Sequence, residues 1–226
     1  MRPALRRFLP VCRQPFIDQR DGAIDDRVVH AELLADQLHE ERAKRSERER
    51  VIIGYGSGTA THDIDFLEAA PALIALLRKY PILEFWVVGP LALPSEFANF
   101  GERVRRFELT DWQGWFRRMA EMDIVLAPLE KDNIFCRAKS EIKFVEAGAL
   151  GLPVVASDID SFRASMTHGR DGFLAANEKE WRKSLEALIS DKELRSRMGE
   201  AARKTVLQNY SPVKRSEDLR RLLAEF

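Results

Sequence analysis

Residues 139–157 read KSEIKFVEAGALGLPVVAS, a polar start followed by an apolar helix and a strand. Ser140 is a candidate N-cap, and Glu141 suits the positive end of the helix. Gly151 ends that helix and Pro153 opens the strand. Ile142, Val145 and Ala149 share one face, and Glu146 lies on the same stripe, four residues after Ile142. A carboxylate there is costly without a partner. Two partners fit it: the hydroxyls of a sugar diol such as a nucleotide ribose, or a nearby Lys or Arg. Lys139 precedes the helix N-terminus. A cation and helix-end amides placed there suit a diphosphate, and stabilise it further where it gains negative charge as a leaving group.

A second group of polar residues lies upstream. Gly56-Ser57-Gly58-Thr59-Ala60-Thr61 joins an apolar strand to a helix. Its glycines and hydroxyls leave amides able to meet phosphate oxygens, although a plain tight turn needs the same residues. No Gly-Lys-Ser/Thr follows, which excludes a Walker loop. His62 is a candidate general base, phosphate donor or cap. Asn133, before Lys139, either lines a ligand site or makes a turn. Trp112 and Trp115 either flank a base or pack in the core. Asp63-Ile64-Asp65 and Asp158-Ile159-Asp160 are Asp-x-Asp strings, but neither is expected to hold metal; the first opens a helix, where acidic residues suit the dipole.

The elements that position these residues alternate in type. Strands are expected at 51–55, 84–88, 104–109, 123–127 and 153–156, and helices at 63–80, 112–121, 140–150 and 161–167. Pro71 should kink or divide the first helix. Apolar strands alternating with helices imply a parallel sheet covered on both sides. Right-handed crossovers make this an α/β, Rossmann-like doubly wound parallel sheet. Its ligands belong beyond the carboxyl ends of the strands, in the loops after Tyr55, Val88, Leu109, Ala127 and Ala156. Residues 177–226 read as a helical C-terminal tail, with stripes through Trp181, Leu185, Leu188 and Ile189, through Leu194, Met198, Ala201, Ala202 and Val206, and through Leu219, Leu222 and Leu223. Residues 1–50 are poorly patterned, and the charged run at 40–50 reads as an exposed helix or linker.

Lys plus Arg equals Asp plus Glu at 36 each, so no global field attracts nucleic acid. The two cysteines, Cys12 and Cys136, make no disulfide framework, and a reducing cytoplasm is the default expectation. Four scattered histidines and no Cys-x-x-Cys argue against zinc. No signal-peptide or membrane-spanning run is apparent, which leaves a cytoplasmic protein, at most peripheral at the inner face of a membrane. The Lys- and Arg-bearing tail at 192–221 fits ordinary domain packing or contact with an anionic membrane surface.

The 139–157 segment resembles the donor-site signature of GT-B glycosyltransferases of the GT4-like, group 1 superfamily. There a glutamate before a small-residue run and G-x-P-V-V-A binds the nucleotide ribose, the position of Glu146. The likeness extends back through 54–72 and forward through Gly169-Arg170-Asp171-Gly172-Phe173-Leu174, similar to the family's G-x-x-G-x-L turn and strand. The resemblance implies the C-terminal half of a GT-B fold, transferring a sugar from a nucleotide-sugar donor to an acceptor in glycan or cell-surface polysaccharide biosynthesis. No cofactor or obligatory metal is implied. The donor site would draw on Gly56, Ser57, Gly58, Thr59, His62, Asn133, Lys139, Ser140, Glu141 and Glu146. The family's acceptor domain is N-terminal, and 50 residues before Val51 are too few for one. The expectation is therefore a donor-binding domain at 51–226 and an extension or acceptor-domain remnant at 1–50. Such a chain is expected to be a truncated reading frame, a fragment or one partner of a split enzyme, binding donor but transferring little alone. A separate acceptor-domain chain is among its candidate partners and lipid-linked glycans among its candidate acceptors.

The departures are specific. The family's second glutamate, eight residues before the ribose-binding one, is Ala138 here, with Lys139, Ser140 and Glu141 beside it. The family's Arg and Lys after the first strand are replaced by GSGTATHD, with His62 nearest the lysine position. The closest subgroup pattern pairs G-Y-x-S-G-T-x-T-H-D with K-S-E-x-K. A non-catalytic nucleotide-sugar or interaction module and a nucleotide-sugar epimerase are the alternatives.

Overall fold

The computed structural model describes residues 26–44, 49–59, 62–131, 133–211, 214 and 220–221. Six strands form one parallel sheet in the order β3-β2-β1-β4-β5-β6: β1 Val51–Gly56, β2 Leu83–Val88, β3 Val104–Phe107, β4 Ile124–Ala127, β5 Val154–Ser157 and β6 Phe173–Ala175. The strand order reverses direction between β1 and β4, which pair through Ile53 with Ile124 and Gly54 with Val125. Gly54 leaves room for the Met122 side chain, whose Sδ lies 1.8 Å from where a Cβ would stand, so a larger residue would require Met122 to move.

Successive strand residues face opposite layers, as the period of two demands. Ile52, Trp86, Val125 and Val154 pack into one core, and Ile53, Phe85, Leu126 and Val155 into the other. The first layer consists of α1 Asp26–Ala43, α4 Trp112–Met119, α6 Ile142–Ala149 and part of α9 Lys192–Tyr210. The second contains α2 His62–Leu67, α3 Ala70–Lys79, a 3-10 segment at Ser95–Arg103 and α8 Glu178–Ser190. Two short helices, α5 Ile134–Arg137 and α7 Asp160–Ser165, follow β4 and β5. Expected helix 63–80 is indeed two helices, with Pro71 in the first turn of α3, where its missing amide costs nothing.

Residues 26–43 form a helix that belongs to this packing. Leu34, Ala35 and Leu38 are buried. Arg42, from the charged run expected to be solvated or linking, donates to the carbonyls of Ala120 and Met122 at 2.6 and 2.5 Å. Arg203 of α9 reaches Asp36. Helices α6 and α9 lie close because Gly199 faces the Gly151 carbonyl, where a Cβ would come within 2.1 Å. The expected stripe through Leu219, Leu222 and Leu223 lies outside the described residues. Among the described residues, no helix is long and apolar enough to cross a membrane.

Candidate functional site

At the carboxyl end of the sheet, beside the β1/β4 reversal, β1 ends on Gly56. A Cβ at Gly56 would meet the Trp115 ring at 2.7 Å, so the indole lies directly against this backbone. Trp115 Nε1 donates to Glu146 Oε2 at 3.0 Å. Glu146 is only 9% exposed, and its partner is this indole rather than a Lys or Arg. Lys143, three residues earlier on α6 and half-buried, donates from Nζ to the Gly56 carbonyl at 2.6 Å. The same Nζ stands 4.9 Å from the Tyr55 ring centre. Burial raises the Glu146 pKa, opposed by the Trp115 bond and the Lys143 charge. Burial also lowers the Lys143 pKa. A carboxylate and an ammonium thus share one desolvated corner without forming an ion pair within 4 Å.

Lys139 is placed differently from the sequence expectation. Its Nζ is 2.6 Å from Oδ2 of Asp65, which is 1% exposed. Asp65 Oδ1 also accepts from the Glu130 amide at 3.1 Å and the Cys136 thiol at 3.1 Å. Burial pushes the Asp65 carboxyl up, but these hydrogen bonds outweigh it and leave its pKa below the ordinary value. The charge of Lys139 is therefore balanced inside the fold. Asp65 pins α2 to the loop after β4, a role that helix-dipole reasoning missed. Asn133 makes the turn at that loop: it caps α5 by accepting from the Phe135 amide and donates to Glu130 at 2.8 Å.

Ser140 is not the N-cap of α6. Glu141 holds that position without a side-chain capping bond, and its carboxylate instead accepts from Tyr210 at 2.9 Å. That contact ties the start of α6 to the end of α9. Ser140 is half-buried just outside the helix. In the glycine loop, Ser57 is buried and its donors are committed: the amide to Val88 O at 2.8 Å, the hydroxyl to the carbonyls of Thr59 and Pro90. Gly58 and Thr59 are exposed, with open space where a Gly58 Cβ would point. His62 opens α2, 3.4 Å from the Tyr55 hydroxyl through Nδ1. Burial, then the charges of Lys143 and Lys139, lowers its pKa to about 4, so it is neutral at physiological pH.

The remaining expectations resolve into packing or surface pairing. Trp112 stacks edge-on against Phe116 at 6.0 Å. Asp63 accepts from the Ala92 amide at 2.9 Å; Asp158 pairs with Arg163, and Asp160 with Arg137. Among the described residues, no group of three or more His, Cys, Asp or Glu is arranged to hold a metal ion. A cavity of about 540 Å³ lies at the opposite, amino end of the strands, beside Arg42, Asp123, Pro153 and Arg195. Arg42 and Arg195 there are engaged with backbone carbonyls, and the cavity is remote from the Glu146 corner. Sequence reasoning missed Lys143, although its place one turn before Glu146 was a usable signal.

Residues 49–191 match the family model for glycosyl transferases group 1, well over half of the chain. The chain belongs to this family. Among solved structures it is similar to Anabaena HepE, determined with UDP and glucose, at 18% identity and a TM-score of 0.63, over 86% of this chain and 52% of HepE. It is also similar to the C-terminal domain of the group 1 protein LpcC from Francisella tularensis, at 19% identity and TM-score 0.55, over 77% of this chain and 92% of that domain. S. aureus TarM, determined as a mutant with Fondaparinux, alpha-GlcNAc-glycerol and UDP, matches at 16% identity and TM-score 0.62, over 92% of this chain and 48% of TarM. The chain thus spans about half the length of HepE and TarM. No curated protein matches it in sequence. These structures share the fold, and membership makes the chain a group 1, GT-B type domain.

Proposed function

We propose that this chain is the donor-binding half of a glycosyltransferase that uses a nucleotide sugar. The carrying observation is the buried Glu146 carboxylate at the carboxyl end of the sheet, held by Trp115 beside Gly56. A desolvated carboxylate with remaining acceptor capacity suits a ribose diol, whose two hydroxyls each donate a hydrogen bond. HepE and TarM were determined with UDP, which makes UDP-sugars the first donors to test. In the reaction, the bond between the anomeric carbon and the diphosphate oxygen breaks, and its electrons leave with the nucleoside diphosphate. A new bond forms from the acceptor hydroxyl oxygen to that carbon, and the hydroxyl proton is released. In this reading side chains and amides meet the leaving-group charge without an obligatory metal. A second domain, opposite the carboxyl end of the sheet, holds the acceptor, a glycan or polysaccharide precursor that includes lipid-linked forms. Leu109, Ile134 and Phe135 are exposed on loops and a short helix following β3 and β4, the side such a domain would cover.

Ala138 favours a second reading, a binding module without turnover. It is the exposed C-cap of α5 and offers no carboxylate to a sugar. Ligand-observed NMR of the chain with UDP, GDP, ADP and their common sugar conjugates tests the donor site. Binding of one nucleotide family is expected, and absence of any binding by the folded chain would refute the reading. Transfer on adding an acceptor domain separates the enzyme from the module.

A further inference from the structure

The corner at Gly56 contains a cation that makes no ion pair in the fold, although Glu146 and Asp65 attract it from further off. An ammonium has three N–H donors, and Lys143 directs one to the Gly56 carbonyl. Its other neighbour is the face of Tyr55. Among the described residues no carboxylate pairs with it within 4 Å; the two nearby carboxylates meet other donors, Glu146 accepting from Trp115 and Asp65 from Lys139. A desolvated, unpaired ammonium is costly, and an anionic ligand is the partner that offsets the cost.

We propose that Lys143, rather than Lys139, is the side chain that holds the diphosphate of the bound nucleotide. This rests on the nucleotide-sugar reading above. Three observations converge on it. Nζ is fixed at the last residue of β1, where the Gly56–Thr59 loop begins. Lys143 and Glu146 are one helical turn apart, a Cβ spacing of about 5–6 Å, which lets one ligand present ribose to the carboxylate and phosphate to the ammonium. The family's cations after the first strand are absent from GSGTATHD, and Lys143 approaches the same loop from the neighbouring helix. The lowered pKa of Lys143, caused first by burial, fits an ammonium awaiting an anion.

The test is calorimetric titration with UDP, GDP and ADP and with the matching nucleosides, on wild type, Lys143→Met and Lys143→Arg. One lost charge-assisted hydrogen bond corresponds to about 10- to 150-fold in affinity. Lys143→Met is expected to lose that factor for the diphosphate and none for the nucleoside, and Lys143→Arg to keep part of it. A diphosphate preference that survives in Lys143→Met overturns the assignment while the nucleotide reading stands. A folded wild-type chain that binds neither nucleotide nor nucleoside overturns both. If Lys143→Met does not fold, NMR of the Lys143 side-chain resonance in wild type decides: a shift on adding the bound diphosphate supports the assignment, and an unmoved resonance overturns it.

Discussion

Glu146→Gln separates a ligand-binding carboxylate from a structural one. The substitution keeps the shape and an acceptor for Trp115 Nε1 but removes the buried charge. Burial is the largest influence on Glu146 and raises its pKa, so the charged form opposes folding near neutral pH. Glutamine relieves that penalty and forfeits attraction to Lys143, and the two effects oppose each other. Stability is therefore expected to stay within about 1 kcal/mol of wild type or to rise. Any gain closes as pH falls through the carboxyl range, because protonated Glu146 carries no charge to relieve. Nucleotide affinity behaves otherwise. Loss of one charge-assisted bond to a ribose hydroxyl corresponds to about 1.5–3 kcal/mol, or roughly 10- to 150-fold in Kd. Thermal unfolding and calorimetric titration of the same samples measure both quantities. A stability loss above about 2 kcal/mol with unchanged nucleotide affinity would refute the reasoning and make Glu146 a packing group.

Two further outcomes follow from the same corner and from α1. His62 titrates near 4, below its ordinary 6.5, so the unfolded chain takes up the proton first as pH falls. Its stability contribution is complete above 6.5 and is lost towards 4, amounting to about 1–2 kcal/mol after solvent screening. The melting-temperature difference between wild type and His62→Asn should change across that window, and parallel curves would contradict the shift. Leu38→Ala, in a helix buried against the domain, should cost about 2–5 kcal/mol in chemical denaturation. A cost below 0.5 kcal/mol, about the size of a surface substitution, would mean that α1 does not pack as described.

The alternation of apolar strands and helices was readable from residue types alone. Pro71 divided a helix because proline lacks an amide wherever it stands, and Glu146 was conspicuous as a carboxylate on an apolar stripe. Those properties are local, so no fold is needed to see them. Residues 26–43 were illegible for the converse reason: the segment has only weak amphipathic patterning, and its burial depends on α4 and α6 being there to receive it. The ionic assignments likewise waited for tertiary structure. Lys139 and Asp65 are 74 positions apart yet 2.6 Å apart in space, and Trp115 meets Glu146 across 31 positions. Its place before the helix N-terminus made Lys139 the candidate cation, and Lys143 was passed over. The fold distinguished them by giving one a buried carboxylate and the other a single backbone carbonyl, because neutralisation of a charge depends on distance and dielectric, which residue order does not specify.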